Sequence, residues 1–173
     1  MSYQIETLEA VRARFPDDVL GNGAHATQHW VFVKREHVID VLRWLRDAQS
    51  YEMLMDLTCV DYLNQGTPER FCVVYELYSL AHNSYFRVKA WVPESDPTID
   101  SACAVWKAAS WAEREVFDMF GLDFRGHVDP TAPKSTKGMR RILMPEGYAG
   151  HPLRKDYPLK GNGERFNFPK YTR

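Results

Sequence analysis

The chain is poor in anything that would mark a redox centre, a secreted scaffold or a membrane span. Its three cysteines, Cys59, Cys72 and Cys103, lie far apart and never as C-x-x-C. An odd, scattered set supports neither a disulfide framework nor an Fe–S or zinc site, so buried, reduced thiols are expected. Apolar runs stop at a few residues, as in Trp30-Val31-Phe32-Val33, where a bilayer span needs ~20. Any membrane role is therefore expected to be peripheral. Met1 to Glu6 offers neither a basic n-region nor an apolar h-region, so no secretory signal is expected there. P-loop and G-x-G-x-x-G patterns are missing, which removes the usual sequence grounds for nucleotide binding. Internal repeats and low-complexity runs are missing too. What remains is ordinary folded-protein composition, 45% hydrophobic and 26% charged over 173 residues, enough for one domain with an appendage.

The near-neutral total hides a division. Residues 1–124 hold 11 Lys+Arg against 19 Asp+Glu; residues 125–173 hold 11 against 4. Gly and Pro shift at the same point, 8 in the first stretch and 12 in the second. The chain reads as an acidic body, 1–124, followed by a basic, turn-rich tail, 125–173.

The body reads as α+β. Ile5, Leu8, Val11 and Phe15 fall at helical spacing before Pro16, and Val38, Val41, Leu42 and Leu45 form an amphipathic helical stripe. Gln28–Lys34 is strand-like. Three alternating segments follow: Met53–Tyr62, with Met53, Met55, Leu57 and Cys59 on one face; Arg70–Leu80, with Phe71, Val73, Tyr75 and Leu77; and Ser84–Val92, with Phe86, Val88, Ala90 and Val92. Short polar connections between them predict an antiparallel meander, giving a largely antiparallel sheet covered by helices on one face. Ser110-x-x-Glu113 resembles a capping box, predicting a short helix to about Met119 that stops at Gly121. The tail shows no periodicity, yet it keeps large apolar residues from Met139 to Tyr171, which disordered segments generally lack. Those anchors need a surface. A neighbouring protein accepting Arg140, Arg141, Arg154 and Lys155 is the expectation; a tail folded back on its own acidic body is the alternative.

Two clusters carry the remaining chemistry. Glu115 and Asp118 are i, i+3 on one helix and could hold a divalent metal with His127 and Asp129, although helix capping and ion pairs explain such acids more simply. In His151-Pro152-Leu153-Arg154-Lys155-Asp156-Tyr157-Pro158-Leu159 the two prolines favour an extended path, and Arg154 can fork a carboxylate. A catalytic His151–Asp156 pair finds no nucleophile beside it. Nucleic-acid binding is disfavoured, because the cations come in pairs among prolines and the acidic body repels phosphate.

The runs E-R-E-V-F-D-M-F-G-L-D-F-R-G-H (Glu113–His127), R-R-I-L-M (Arg140–Met144) and E-G-Y-A-G-H-P-L-R-K-D-Y-P-L (Glu146–Leu159) resemble the 30-kDa subunit family of respiratory complex I. This is the 30-kDa, or C-type, subunit of bacterial NADH–quinone oxidoreductase, with a close counterpart in the photosynthetic enzyme. One departure is clear: Val128 stands where the family has proline, and about nine residues near 130–138 are inserted before Met139, a polar stretch expected to loop out. The resemblance implies an α+β body with an extended C-terminal tail. It implies a non-catalytic structural role in the hydrophilic arm, against the large hydrogenase-like (D-type) subunit and near the small cluster-bearing (B-type) subunit. FMN and Fe–S clusters would lie in partner subunits, with no cofactor in this chain. NADH and quinone would be met only through the proton-translocating assembly, and the location would be peripheral, on the cytoplasmic side of the bacterial inner membrane. Glu113, Arg114, Glu115 and Asp118 would fix the helix and its interface, and Arg140, Arg141, His151, Arg154, Lys155 and Asp156 would dock the tail. The rival from another class is a stand-alone metal-assisted hydrolase using Glu115, Asp118, His127, Asp129 and His151.

Overall fold

A computed structural model describes residues 2–131, 138–145, 147–159 and 161. Helix α1 (Tyr3–Arg14) buries Thr7, Leu8 and Val11 and ends just before Pro16, which disfavours helical geometry at Phe15. Strands β1 (Val19–His25) and β2 (Gln28–Val33) form a hairpin. A 3-10 turn at Arg35–His37 leads into α2 (Val38–Ala48), which buries Val38, Val41, Leu42 and Leu45 as its stripe predicts. The meander β3 (Met53–Asp61), β4 (Phe71–Ser79) and β5 (Ser84–Val92) is antiparallel throughout. It joins the hairpin through a parallel β2–β5 pairing, giving the order β1-β2-β5-β4-β3. Val31, Val33, Leu57, Phe71, Tyr75, Leu77, Phe86 and Val88 share the buried face with the helices' apolar residues. The expected helix-covered sheet is therefore present.

Two strand expectations change. Met53 and Met55 are exposed while Leu57 and Cys59 are buried. A register shift between Leu54 and Asp56 is responsible: an extra residue inverts alternation, and Leu54 packs on the core instead. Strand β1 went unread because Gly21, Asn22 and Gly23 look like a turn. Gly23 is needed there, since a Cβ would stand 2.6 Å from the Trp30 ring.

Beyond the main sheet, β6 (Thr98–Asp100) pairs in parallel with β7 (Asp123–Arg125). Between them lie a 3-10 turn, Ala102–Ala104, and α3 (Ala109–Phe120). Ser110 is not the cap of α3. That place falls to Ala108, with no side-chain bond, and Glu113 turns away to another partner.

Candidate docking site: the C-terminal end of helix α3

Helix α3 carries an unusual load for a buried element. Glu113, Arg114 and Asp118 are all buried, whereas Glu115 is exposed. Buried charges persist only when paired and hydrogen-bonded, and each finds its partners within the chain.

Asp118 is the centre. Its Oδ2 accepts the N–H groups of Ile142, Leu143 and Met144 at 3.0, 2.7 and 2.8 Å, and its Oδ1 accepts Arg141 Nη1 at 2.6 Å. Burial would raise the Asp118 pKa, but these N–H donors and the Arg141 guanidinium hold the carboxyl below its ordinary range. The R-R-I-L-M run is thus wrapped around one carboxylate.

The other half of the fastening uses the helix end itself. An α-helix leaves its last four carbonyls without intrahelical partners. In α3 the Phe117 carbonyl accepts the N–H of Gly121, which adopts the left-handed φ of 75°. Asp118 C=O accepts His151 Nδ1 at 3.0 Å and Arg141 at 3.2 Å, and Met119 C=O accepts Leu153 N–H at 3.1 Å. Phe120 C=O accepts Arg154 Nε. All four are satisfied, three of them by the tail. Two guanidinium groups also sit where the helix dipole is negative. Burial and the nearby Arg154 and Arg141 push the His151 pKa below its ordinary value, and its Nδ1 is the donor because a backbone carbonyl can only accept.

A second latch closes on the sheet. Arg70, with a side chain 6% exposed, donates to Asp61 at 3.1 and 2.9 Å and to Asp156 at 3.1 and 2.8 Å, and it also pairs with Glu94. Asp61 additionally accepts the Lys155 N–H at 2.9 Å. Asp156 is held low by Arg70 above all. A third contact fixes the start of the tail. Asp129 lies 3.6 Å from Arg114 and 3.3 Å from Arg140, and Arg114 donates to the Arg140 and Arg141 carbonyls.

The residues singled out from sequence are therefore brought together, but largely with one another. Arg141, Arg154 and Asp156, expected to reach a neighbour, pair inside the chain. Lys155 lends its backbone to Asp61 while the residue stays exposed. The path over 151–159 is a run of turns, with Arg154 N–H bonded to His151 O and Tyr157 N–H to Arg154 O, rather than the extended strap the prolines suggested. Asp61 and Arg70 were missed; nothing in their neighbourhood marks them as partners of residues more than eighty positions away. The anchors Phe166, Phe168 and Tyr171 and most of the 130–138 insert lie outside the described residues. The rival hydrolase set does not converge: Glu115 faces solvent, both Asp118 oxygens are occupied, and His127 binds Glu113 at 2.8 Å, away from His151.

The arrangement of α3 and its wrapped run can be set beside known proteins. The family model for the respiratory-chain NADH dehydrogenase 30 Kd subunit matches residues 31–163. The chain belongs to this family. Among curated members of the 30 Kd subunit family, the C-type subunit of NADH-quinone oxidoreductase from Geobacter metallireducens is 44% identical over 161 residues, covering 91% of this chain and 93% of that protein. Its counterpart from Geobacter sulfurreducens is 47% identical over 131 residues, 76% and 75% of the two chains. A solved structure of the trypsin-resistant fragment (1–134) of Nqo5 superposes with a TM-score of 0.66 at 34% identity, over 73% of this chain and 98% of that one. A chain of the archaeal membrane-bound sulfane sulfur reductase, a respiratory membrane complex, gives a TM-score of 0.75 at 19% identity, covering 98% of this chain and 94% of that one; this is a likeness of fold alone. Among the described residues no helix is long and apolar enough to cross a membrane.

Proposed function

We propose that the chain serves as the 30-kDa subunit of a bacterial proton-translocating NADH–quinone oxidoreductase. It would be a non-catalytic structural subunit of the hydrophilic arm, helping to hold the module that passes electrons from NADH to quinone. The observation that carries this reading is relatedness over nearly the full length of the Geobacter metallireducens subunit. The geometry of α3 supports it, because its buried charges serve fastening. In this reading the chain lies peripherally on the cytoplasmic side of the inner membrane. It packs against the large hydrogenase-like subunit and near the cluster-bearing one, with FMN and Fe–S clusters in the partners.

In this reading the contact falls to groups that face outward. With Arg141 and Arg154 turned inward, the outward groups among the described residues of α3 and the tail include Trp111, Leu143, Leu153 and Leu159, the last 97% exposed, together with Glu115 and Lys155. Exposed apolar anchors rimmed by charge are what a docking face presents. The test is affinity purification of the native assembly through this chain. Companion chains of the large hydrogenase-like and small cluster-bearing types, with flavin and cluster absorption, are expected. A Leu153→Asp, Leu159→Asp double variant should fold as the parent does and lose those companions; their full retention would refute this docking face, and recovery of the wild-type chain alone from gently solubilised membranes would refute the assembly role.

A further inference from the structure

Glu113 is fully buried and turned toward the 3-10 turn that precedes α3. Its Oε1 accepts the Ala102 N–H at 2.6 Å, and its Oε2 accepts the Ser101 hydroxyl at 2.8 Å. The same Oε2 lies 2.8 Å from His127 Nδ1 and 3.4 Å from Cys103 Sγ, and Cys103 Sγ is 3.8 Å from His127 Nδ1. One thiol, one carboxylate and one imidazole therefore converge, their ligating atoms all within 4.8 Å of one another. Around a tetrahedral ion with a thiolate at ~2.3 Å and N and O ligands at ~2.0–2.2 Å, neighbouring donor atoms stand ~3.3–3.6 Å apart. The three observed spacings bracket that range.

We propose that Cys103, Glu113 and His127 form a binding site for a single divalent cation of the zinc type. The donor set selects the metal: thiolate with imidazole favours zinc-like ions over Mg2+ or Ca2+, which prefer all-oxygen cages. The site is preorganised. Ser101 and Ala102 fix the Glu113 carboxylate, and the Cys103 N–H is held by Ser101 Oγ at 3.1 Å. Partners of this kind orient metal ligands. The His127 side chain is 5% exposed and its Nε2 has no hydrogen-bond partner among the described residues, so the ring is held through Nδ1 alone. Cys103, unlike the buried Cys59 and Cys72, is partly exposed and gives an ion a way in. A fourth position is open to water or to the Val128 carbonyl, 4.0 Å from Sγ.

The exchange conserves charge. A divalent ion enters, one proton leaves the thiol and one leaves the His127–Glu113 pair, so no net charge is added to a buried pocket. The ion would tie the 3-10 turn, α3 and the residues after β7 together where the tail leaves the body. The spacing 103–113–127 matches no ligand motif, which is why the sequence did not point to this trio. The three side chains converge whatever the chain's place in an assembly.

The test is titration of the purified, tag-free full chain with Co2+, followed by Zn2+. One equivalent of Co2+ should give a thiolate charge-transfer band with tetrahedral visible absorption, displaced by Zn2+. Cys103→Ser should abolish the band and weaken binding at least ~100-fold, the upper end of the loss seen when supporting partners of metal ligands are removed. Cys72→Ser should leave both unchanged. His127→Gln gives a second variant that must also lose the band while circular dichroism confirms folding. Absence of the band, a weak octahedral spectrum, or stoichiometric binding that survives Cys103→Ser would overturn the proposal.

Discussion

Replacing Asp118 with Asn keeps the side chain's shape and removes its charge, which isolates what the carboxylate does. In the parent, one oxygen collects three backbone N–H groups and the other binds Arg141. An amide offers one acceptor oxygen and presents an NH2 to the remaining donors. Hydrogen bonds to charged groups contribute ~1.5–3 kcal/mol each, and leaving one member of a buried ion pair alone costs ~3–5 kcal/mol. These terms overlap, so about 3–4 kcal/mol is the expected loss. The loss should be local. Met144 packs partly buried against the core, but the five-stranded sheet and helices α1 and α2 are completed before residue 93, so the tail should release first, as local openings do. Trypsin cleavage after Arg140 and Arg141 reads this directly, because opening limits it. A change of 3–4 kcal/mol corresponds to roughly 10²- to 10³-fold faster cutting. Glu115→Gln, three positions away but exposed, should change the rate less than twofold. Equal cleavage of Asp118→Asn and parent would refute the view that this carboxylate fastens the tail.

Three further outcomes follow from the same contacts. Arg70→Ala should lower stability by about 3–5 kcal/mol in urea unfolding, because Asp61 is left buried without its cation; a loss under 1 kcal/mol would contradict this. Gly121→Ala should destabilise the chain and speed the same trypsin cleavage, since the residue sits at φ 75° and a Cβ would lie 2.5 Å from His151 Nε2. The His127 pKa is raised to about 9, burial opposing and the bonds to Cys103 and Glu113 prevailing. Its contribution is fully present below pH ~6.5 and is lost as pH rises through about 9. Urea midpoints of the metal-free chain, measured with a chelator present from pH 6 to pH 10, should fall across that window, and Glu113→Gln should flatten the fall.

The helices and the meander were legible because their information is local. A 3.6-residue stripe in Val38–Leu45 and the alternation in Phe71–Leu77 and Phe86–Val92 fix which side meets the core, whatever that core is. The family was legible for a related reason: long ordered runs around α3 and Arg140–Leu159 survive as text. Even within this local layer, one inserted residue near Met55 inverted a face, and Gly-rich β1 gave no strand signal.

The charged residues of α3 and the tail were identified by type, and their partners were not. A sequence states that Arg141, Arg154 and Asp156 carry charge; it does not state which counter-charge or backbone carbonyl each will meet. Asp118 with Arg141, Arg70 with Asp156 and Phe120 with Arg154 are separated by 23, 86 and 34 positions. Their meeting depends on how β7, Gly121 and the turns at 151–157 steer the backbone. Sequence alone therefore determined an α+β body with a basic, anchored tail of a recognisable family. Only the tertiary structure decided that the tail caps its own helix, because an ion pair is set by distance in space and the chain fixes that distance only once it is folded.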